Sequence, residues 1–112
     1  MLHPQKYARH VLEDLMAFYK GHIGYPEIDL KLAGDEAWSD AFPELRDAIH
    51  RIIETIHEYA DMYGWDYRQP TRRELDDLFR ELRPLIKTVM EFAEGTAPEE
   101  LEYYQEISNS CC

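Results

Sequence analysis

Apolar residues recur at every third or fourth position along three long stretches of this chain, and that spacing predicts three amphipathic helices. The first runs from Pro4 to Lys20. Ala8, Val11, Leu12, Leu15, Phe18 and Tyr19 share one face, Pro4 suits the first turn, and Gly21 is a natural stop. The second runs from about Asp40 to Tyr63, with Ser39 or Asp40 as its cap and Pro43 in its first turn. Leu45, Ile49, Ile52, Ile53, Ile56, Ala60 and Tyr63 form its stripe, and Gly64 ends it. The third opens on a capping box, Thr71 with Glu74, and holds Leu75, Leu78, Phe79, Leu82, Leu85, Ile86, Val89 and Ala93 on one side until Gly95. Pro84 falls on the outward face of this third helix, where a proline bends a helix around a core, so one helix kinked at Pro84 is expected.

Two segments complete the pattern. Thr96 and Glu99 form a second capping box, with Pro98 in the first turn, and predict a short helix to about Ile107. Leu101 and Tyr104 face inward on it and Tyr103 points away. Residues 21–38 read two ways. Ile28, Leu30 and Leu32 alternate with Asp29 and Lys31 as in a strand, while Pro26 and Gly34 bracket a two-turn helix. A lone strand has nothing to pair with in a helical chain, which favours a helix or an extended loop. The expected fold is therefore all-α: a small helical bundle of three long helices plus a short C-terminal helix. It forms a single helical domain over residues 1–107, with a frayed C-terminal tail at 108–112.

Composition agrees with a packed core. The chain has 112 residues, 45% of them hydrophobic and 12% aromatic, too apolar for an acidic disordered segment. Met1 to His10 lacks the apolar run of a secretory signal, and no stretch approaches a membrane span, so cytoplasmic residence is expected. Cys111 and Cys112 cannot staple the fold. The pair resembles the prenylated end of Rab-type GTPases, but the phosphate-binding Gly-x-x-x-x-Gly-Lys-Ser/Thr loop of that family is missing, which leaves two reducible thiols.

Charge narrows the function. The net charge is −11, with about −7 between Asp35 and Asp66 and about −6 between Glu91 and Glu106. Such a field repels nucleic acid and anionic membranes and attracts basic surfaces. Acidic residues crowd aromatic ones at three places, one of them Asp35, Glu36, Trp38 and Asp40 ahead of the second long helix, and the other two supply the partner-binding candidates. Glu99, Glu100, Glu102, Tyr103 and Glu106 share the short C-terminal helix, and Trp65 and Asp66 sit with Tyr67 after the second long helix. Aromatic rings anchor interfaces and carboxylates steer a basic partner, so these are the candidate partner-binding residues. The plainer alternative is that Trp38 and Trp65 plug the ends of the bundle and the acids are simply solvated.

Two further constellations carry weaker chemistry. Arg68, Arg72 and Arg73 gather at the start of the third helix, where guanidinium groups and free amides can hold an anion. Pairing of Arg72 with Asp76 and of Arg73 with Asp77 is the simpler account. His50, Glu54 and His57 lie along one edge of the second helix with a Glu-x-x-His spacing found in carboxylate-bridged metal bundles. No second copy of that spacing exists, and His50 and His57 stand about 10 Å apart along the axis. No nucleophile–base arrangement is visible. The sequence therefore reads as a small acidic helical protein, without cofactor, that neutralises or modulates a basic protein: an immunity protein, antitoxin, anti-CRISPR or DNA mimic. Colicin immunity proteins are an analogy in acidity, helix count and a Tyr-Tyr pair, without a shared motif. The alternatives are a metal-binding or enzymatic bundle on His50, Glu54 and His57, and a homo-oligomeric scaffold or accessory subunit whose apolar stripes close a homodimer.

Overall fold

In a computed structural model of the chain, which describes residues 4–93, the predicted stripes become buried helix faces. Helix α1 spans Pro4–Tyr19, α2 Tyr25–Trp38, α3 Pro43–Tyr63 and α4 Arg72–Phe92. Successive helices pack side by side and α4 closes against α1, so α1 and α3 meet only across the diagonal. The all-α bundle expected from the spacing is what forms. The short helix expected after Thr96 lies outside the described residues.

The fourth long element is the segment that the sequence left open. Residues 25–38 are helical throughout, because Ile28 and Leu32, one turn apart, are each 0% exposed and dock between α1 and α3. The apparent alternation of Ile28, Leu30 and Leu32 is not a strand pleat. At 100° per residue Leu30 points away from the core, and it is 74% exposed. Gly34 lies inside the helix, not at its end.

Capping explains the boundaries. Gly21 adopts φ 81°, and the His22 N–H donates to the Ala17 carbonyl, closing α1 in a left-handed turn. Ser39 does not cap α3. It is fully buried at the end of α2, where its Oγ donates to the Asp35 carbonyl at 2.8 Å. Asp40 instead pairs with Arg46, and Phe42 occupies the N-cap position of α3. Gly64, at φ 69°, ends α3, with the Trp65 N–H returning to the Ala60 carbonyl. Thr71 and Glu74 form the predicted capping box on α4. Pro84 lies exposed within one continuous helix, on the outward side expected of it.

Candidate acidic interface

The loop that follows α3 divides its aromatic residues between core and surface. Trp65 is 3% exposed and Tyr67 is 94% exposed. The Trp65 ring meets Phe18 edge-on at 5.9 Å and stacks on Tyr63 at 6.2 Å, with Tyr25 and Tyr59 each at 6.4 Å. Its Nε1–H donates to Glu74 Oε1 at 3.1 Å. Trp65 is therefore corrected from a surface anchor to a core plug: a large ring beside the left-handed turn at Gly64 folds under the end of α3. Trp38 does the opposite. It is 68% exposed on the last turn of α2.

Asp66 stays at the surface and joins a groove of about 380 Å³ lined by Tyr25, His57, Glu58, Ala60, Asp61 and Asp66. Asp29 reaches the same place from α2 and accepts from His57 Nε2 at 2.5 Å. The groove lies at the C-terminal end of α3, where the last carbonyls add partial negative charge. The Tyr25 hydroxyl registers this field. Its pKa is raised by burial first, then by the charges of Asp29, Asp66 and Asp61. An aromatic floor under carboxylates from α2, α3 and the following loop has the chemistry to hold a guanidinium or ammonium group.

The arginine island is turned inward on the protein itself. Arg68 forms a two-pronged contact to Glu74, with Nη1 to Oε1 at 3.0 Å and Nη2 to Oε2 at 2.5 Å. Glu74 also accepts from the Thr71 N–H at 3.1 Å. Arg68 first, then the Thr71 amide and the Trp65 indole, hold the Glu74 carboxyl down at about 2. Arg72 does not pair with Asp76. Its guanidinium lies 4.5 Å over the Tyr19 ring and donates to the Tyr19 carbonyl at 2.6 Å, while Asp76 accepts from the Tyr19 hydroxyl at 2.7 Å. Asp77 faces Arg80 at 3.5 Å, not Arg73. Of the three candidate anion ligands Arg73 alone is not engaged in this way, and the capping box already occupies amides an anion would need.

His50, Glu54 and His57 are not brought together around a centre. His50 Nδ1 lies 2.7 Å from Glu36 and its Nε2 lies 2.7 Å from Glu54, while His57 turns to Asp29. Among the described residues no group of three or more His, Cys, Asp or Glu is placed to hold a metal. These side chains instead form a polar seam between α2 and α3. Glu99, Glu100, Glu102, Tyr103 and Glu106 lie outside the described residues. Sequence reasoning missed Tyr25, Asp29 and Glu58. Glu58 and Asp61, three apart on α3, were visible in the helical register, but Tyr25 and Asp29 join them only once residues 25–38 are known to be helical.

One more carboxyl stands out. Asp35 Oδ2 is buried and has no hydrogen-bond donor. Burial first, then the neighbouring Asp14 carboxyl, raises the Asp35 pKa to about 8. Burial and a neighbouring carboxylate both penalise a charged Asp35, so its neutral, protonated form is the favoured one in this site between α1 and α2.

Among the described residues no helix is long and apolar enough to cross a membrane. Residues 7–107 match the model of the RIP_P131-like family. The chain is 46% identical over 93 residues to the RNAP inhibitory protein of Acidianus two-tailed virus, covering 80% of this chain and 64% of that relative. It is 39% identical over 59 residues to structural protein ORF131 of the same virus, covering 51% of this chain and 45% of that protein. The chain thus spans less than two thirds of either relative's length.

Proposed function

This chain belongs to that family, and on that premise we propose that it is a small inhibitory protein that binds RNA polymerase and blocks its use of DNA. The observation that carries the reading is the 46% identity, over 93 residues, to a viral RNAP inhibitory protein. Physical chemistry supplies the mode. An enzyme that holds nucleic acid does so with lysine and arginine side chains set against phosphates. A rigid bundle with a net charge of −11 and an acidic groove offers carboxylates to those same cations. Occupying them denies them to the template. Of the inhibitor types suggested by the sequence, DNA mimicry is the one whose target fits. Asp66 in the groove belongs to that negative surface, and Glu99, Glu100, Glu102, Tyr103 and Glu106 remain partner-binding candidates on their composition alone.

The test is promoter-directed transcription by purified Acidianus RNA polymerase with the protein titrated in, alongside co-migration of the two on gel filtration. Inhibition that is strongest when the protein is added before DNA, and that fades as salt rises, is expected. Absence of a complex at low salt would refute the reading. A second reading, a virion component, is favoured by the 39% identity to a structural protein. Its check is quantitative mass spectrometry of purified virus particles, where a stoichiometric amount of the chain is expected.

A further inference from the structure

Given polymerase binding as proposed above, we infer that the outward face of α2, from Leu30 to Trp38, is the apolar centre of the contact with the enzyme. Three helices of the bundle divide cleanly into an apolar and a polar side, and α2 does not. Its inner side holds Ile28 and Leu32, yet its outer side holds Leu30, Ala33, Gly34, Ala37 and Trp38. Leu30 is 74% exposed and Trp38 is 68% exposed. They stand eight residues apart, about 12 Å along the axis, with Ala33, Gly34 and Ala37 between them and Lys31 along the Trp38 side. Among the described residues α2 packs on α1 and α3 alone, so no other described helix covers this face. A tryptophan and a leucine flanking a shallow, small-residue strip form the kind of centre that carries most of the energy in an interface.

Charge identifies the occupant. Along the α3 side the strip is bordered by the seam of Asp29, Glu36 and Glu54, and at its N-terminal end it runs into the groove of Tyr25, Asp61 and Asp66. Beyond Trp38 lies a second groove, of about 340 Å³, lined by Lys6, Tyr7, His10 and Asp35 as well as the indole. The surface is thus apolar in the middle and acidic along its α3 side and its N-terminal end, while Lys31, Lys6 and His10 lie on the α1 side, so its complement is apolar in the middle with basic groups facing the α3 side and the groove. A second copy of the chain is a poor complement. Two copies, each with a net charge of −11, repel one another as whole bodies. A helix of 14 residues, about 21 Å long, offers a few hundred Å² against the roughly 800 Å² per partner of a stable interface. A polymerase surface that also engages the acidic groove supplies both the missing area and the opposite charge.

The experiment uses the full chain with Leu30→Glu, Trp38→Ala and the double variant, and Met62→Gln as an exposed control on α3. Dissociation constants for RNA polymerase are measured by fluorescence anisotropy, helical content by circular dichroism, and mass by light scattering. Wild type and Met62→Gln should bind alike, Trp38→Ala should weaken binding at least tenfold, and the double variant should weaken it further, all with unchanged helical spectra. Hydrogen exchange on the wild-type complex should show new protection over residues 30–38, and this decides the matter even if a variant loses helicity. Tight wild-type binding with no loss in the variants and no protection of α2 would overturn the surface while leaving the polymerase reading intact. No wild-type binding would remove both. A wild-type dimer that Trp38→Ala dissociates would give this face to a second copy instead.

Discussion

At the scale of single residues, Glu74 and Asp35 show how one side-chain type is driven in opposite directions by its surroundings. Glu74 gathers donors from Arg68, Thr71 and Trp65, so it stays ionised down to about 2. Replacing it by alanine strips the Trp65 indole and the first turn of α4 of an acceptor at once, and should cost about 1.5–3 kcal/mol in urea unfolding at pH 7. Asp35 faces Asp14 and Glu13, with Lys31 opposing them, and its pKa rises from 3.8 to about 8. The folded state therefore binds a proton more tightly than the unfolded chain. The stabilisation is complete at pH below about 4 and is lost as pH rises towards 8. Asp35→Asn, whose amide can donate to Asp14 as the protonated acid does, should raise Tm at pH 8 by a few degrees. It should also flatten the decline between pH 5 and 8, measured by calorimetry. Gly34 offers a simpler case. It sits inside α2 and a Cβ there would meet nothing within 4 Å, so Gly34→Ala should stabilise the fold by about 0.5–1 kcal/mol.

At the scale of elements, legibility in the sequence followed amphipathicity. Helices α1, α3 and α4 have one apolar side each, and their apolar periodicity, glycine stops and the Thr71–Glu74 box located them to within a few residues. Helix α2 hid because Leu30, Ala33, Ala37 and Trp38 decorate the side away from the core, which erases the contrast that a helical period needs. The same blurring concealed half of the acidic groove, since Tyr25 and Asp29 reach α3 only from a helical α2. Rings were equally ambiguous. Composition cannot tell Trp38 from Trp65, and the difference is geometric: one lies on an outer helical turn, the other folds under a left-handed cap. Trp65 touches aromatic side chains of α1, α2 and α3 and hydrogen-bonds to α4, so it ties the elements together. Trp65→Phe should keep the fold but lose the bond to Glu74, about 1 kcal/mol. Trp65→Ala should cost about 3–5 kcal/mol, both read from urea midpoints.

At the scale of the whole molecule, the charge that suits this protein to a basic partner also works against its own compactness. All twelve Lys and Arg residues fall between Lys6 and Lys87, several of them committed to contacts within the bundle, and the net charge is −11. Like charges on a body 41 Å long and 21 Å across interact within a few Debye lengths, so added salt relieves their repulsion in the folded state. The same salt weakens attraction to a cationic surface, and it returns condensed ions to any partner that normally holds nucleic acid. One variable should therefore move two measurements in opposite directions. Between about 0.05 and 0.5 M monovalent salt, Tm of the free protein should rise by a few degrees while its affinity for RNA polymerase falls by an order of magnitude or more. The apolar strip on α2 sets the floor. The part of the affinity that survives at high salt should be the part that Trp38→Ala abolishes, whereas Asp61→Asn and Asp66→Asn should reduce the slope of log Kd against log salt and leave that floor unchanged. A wild-type affinity that is insensitive to salt would mean that carboxylates do not engage the partner at all.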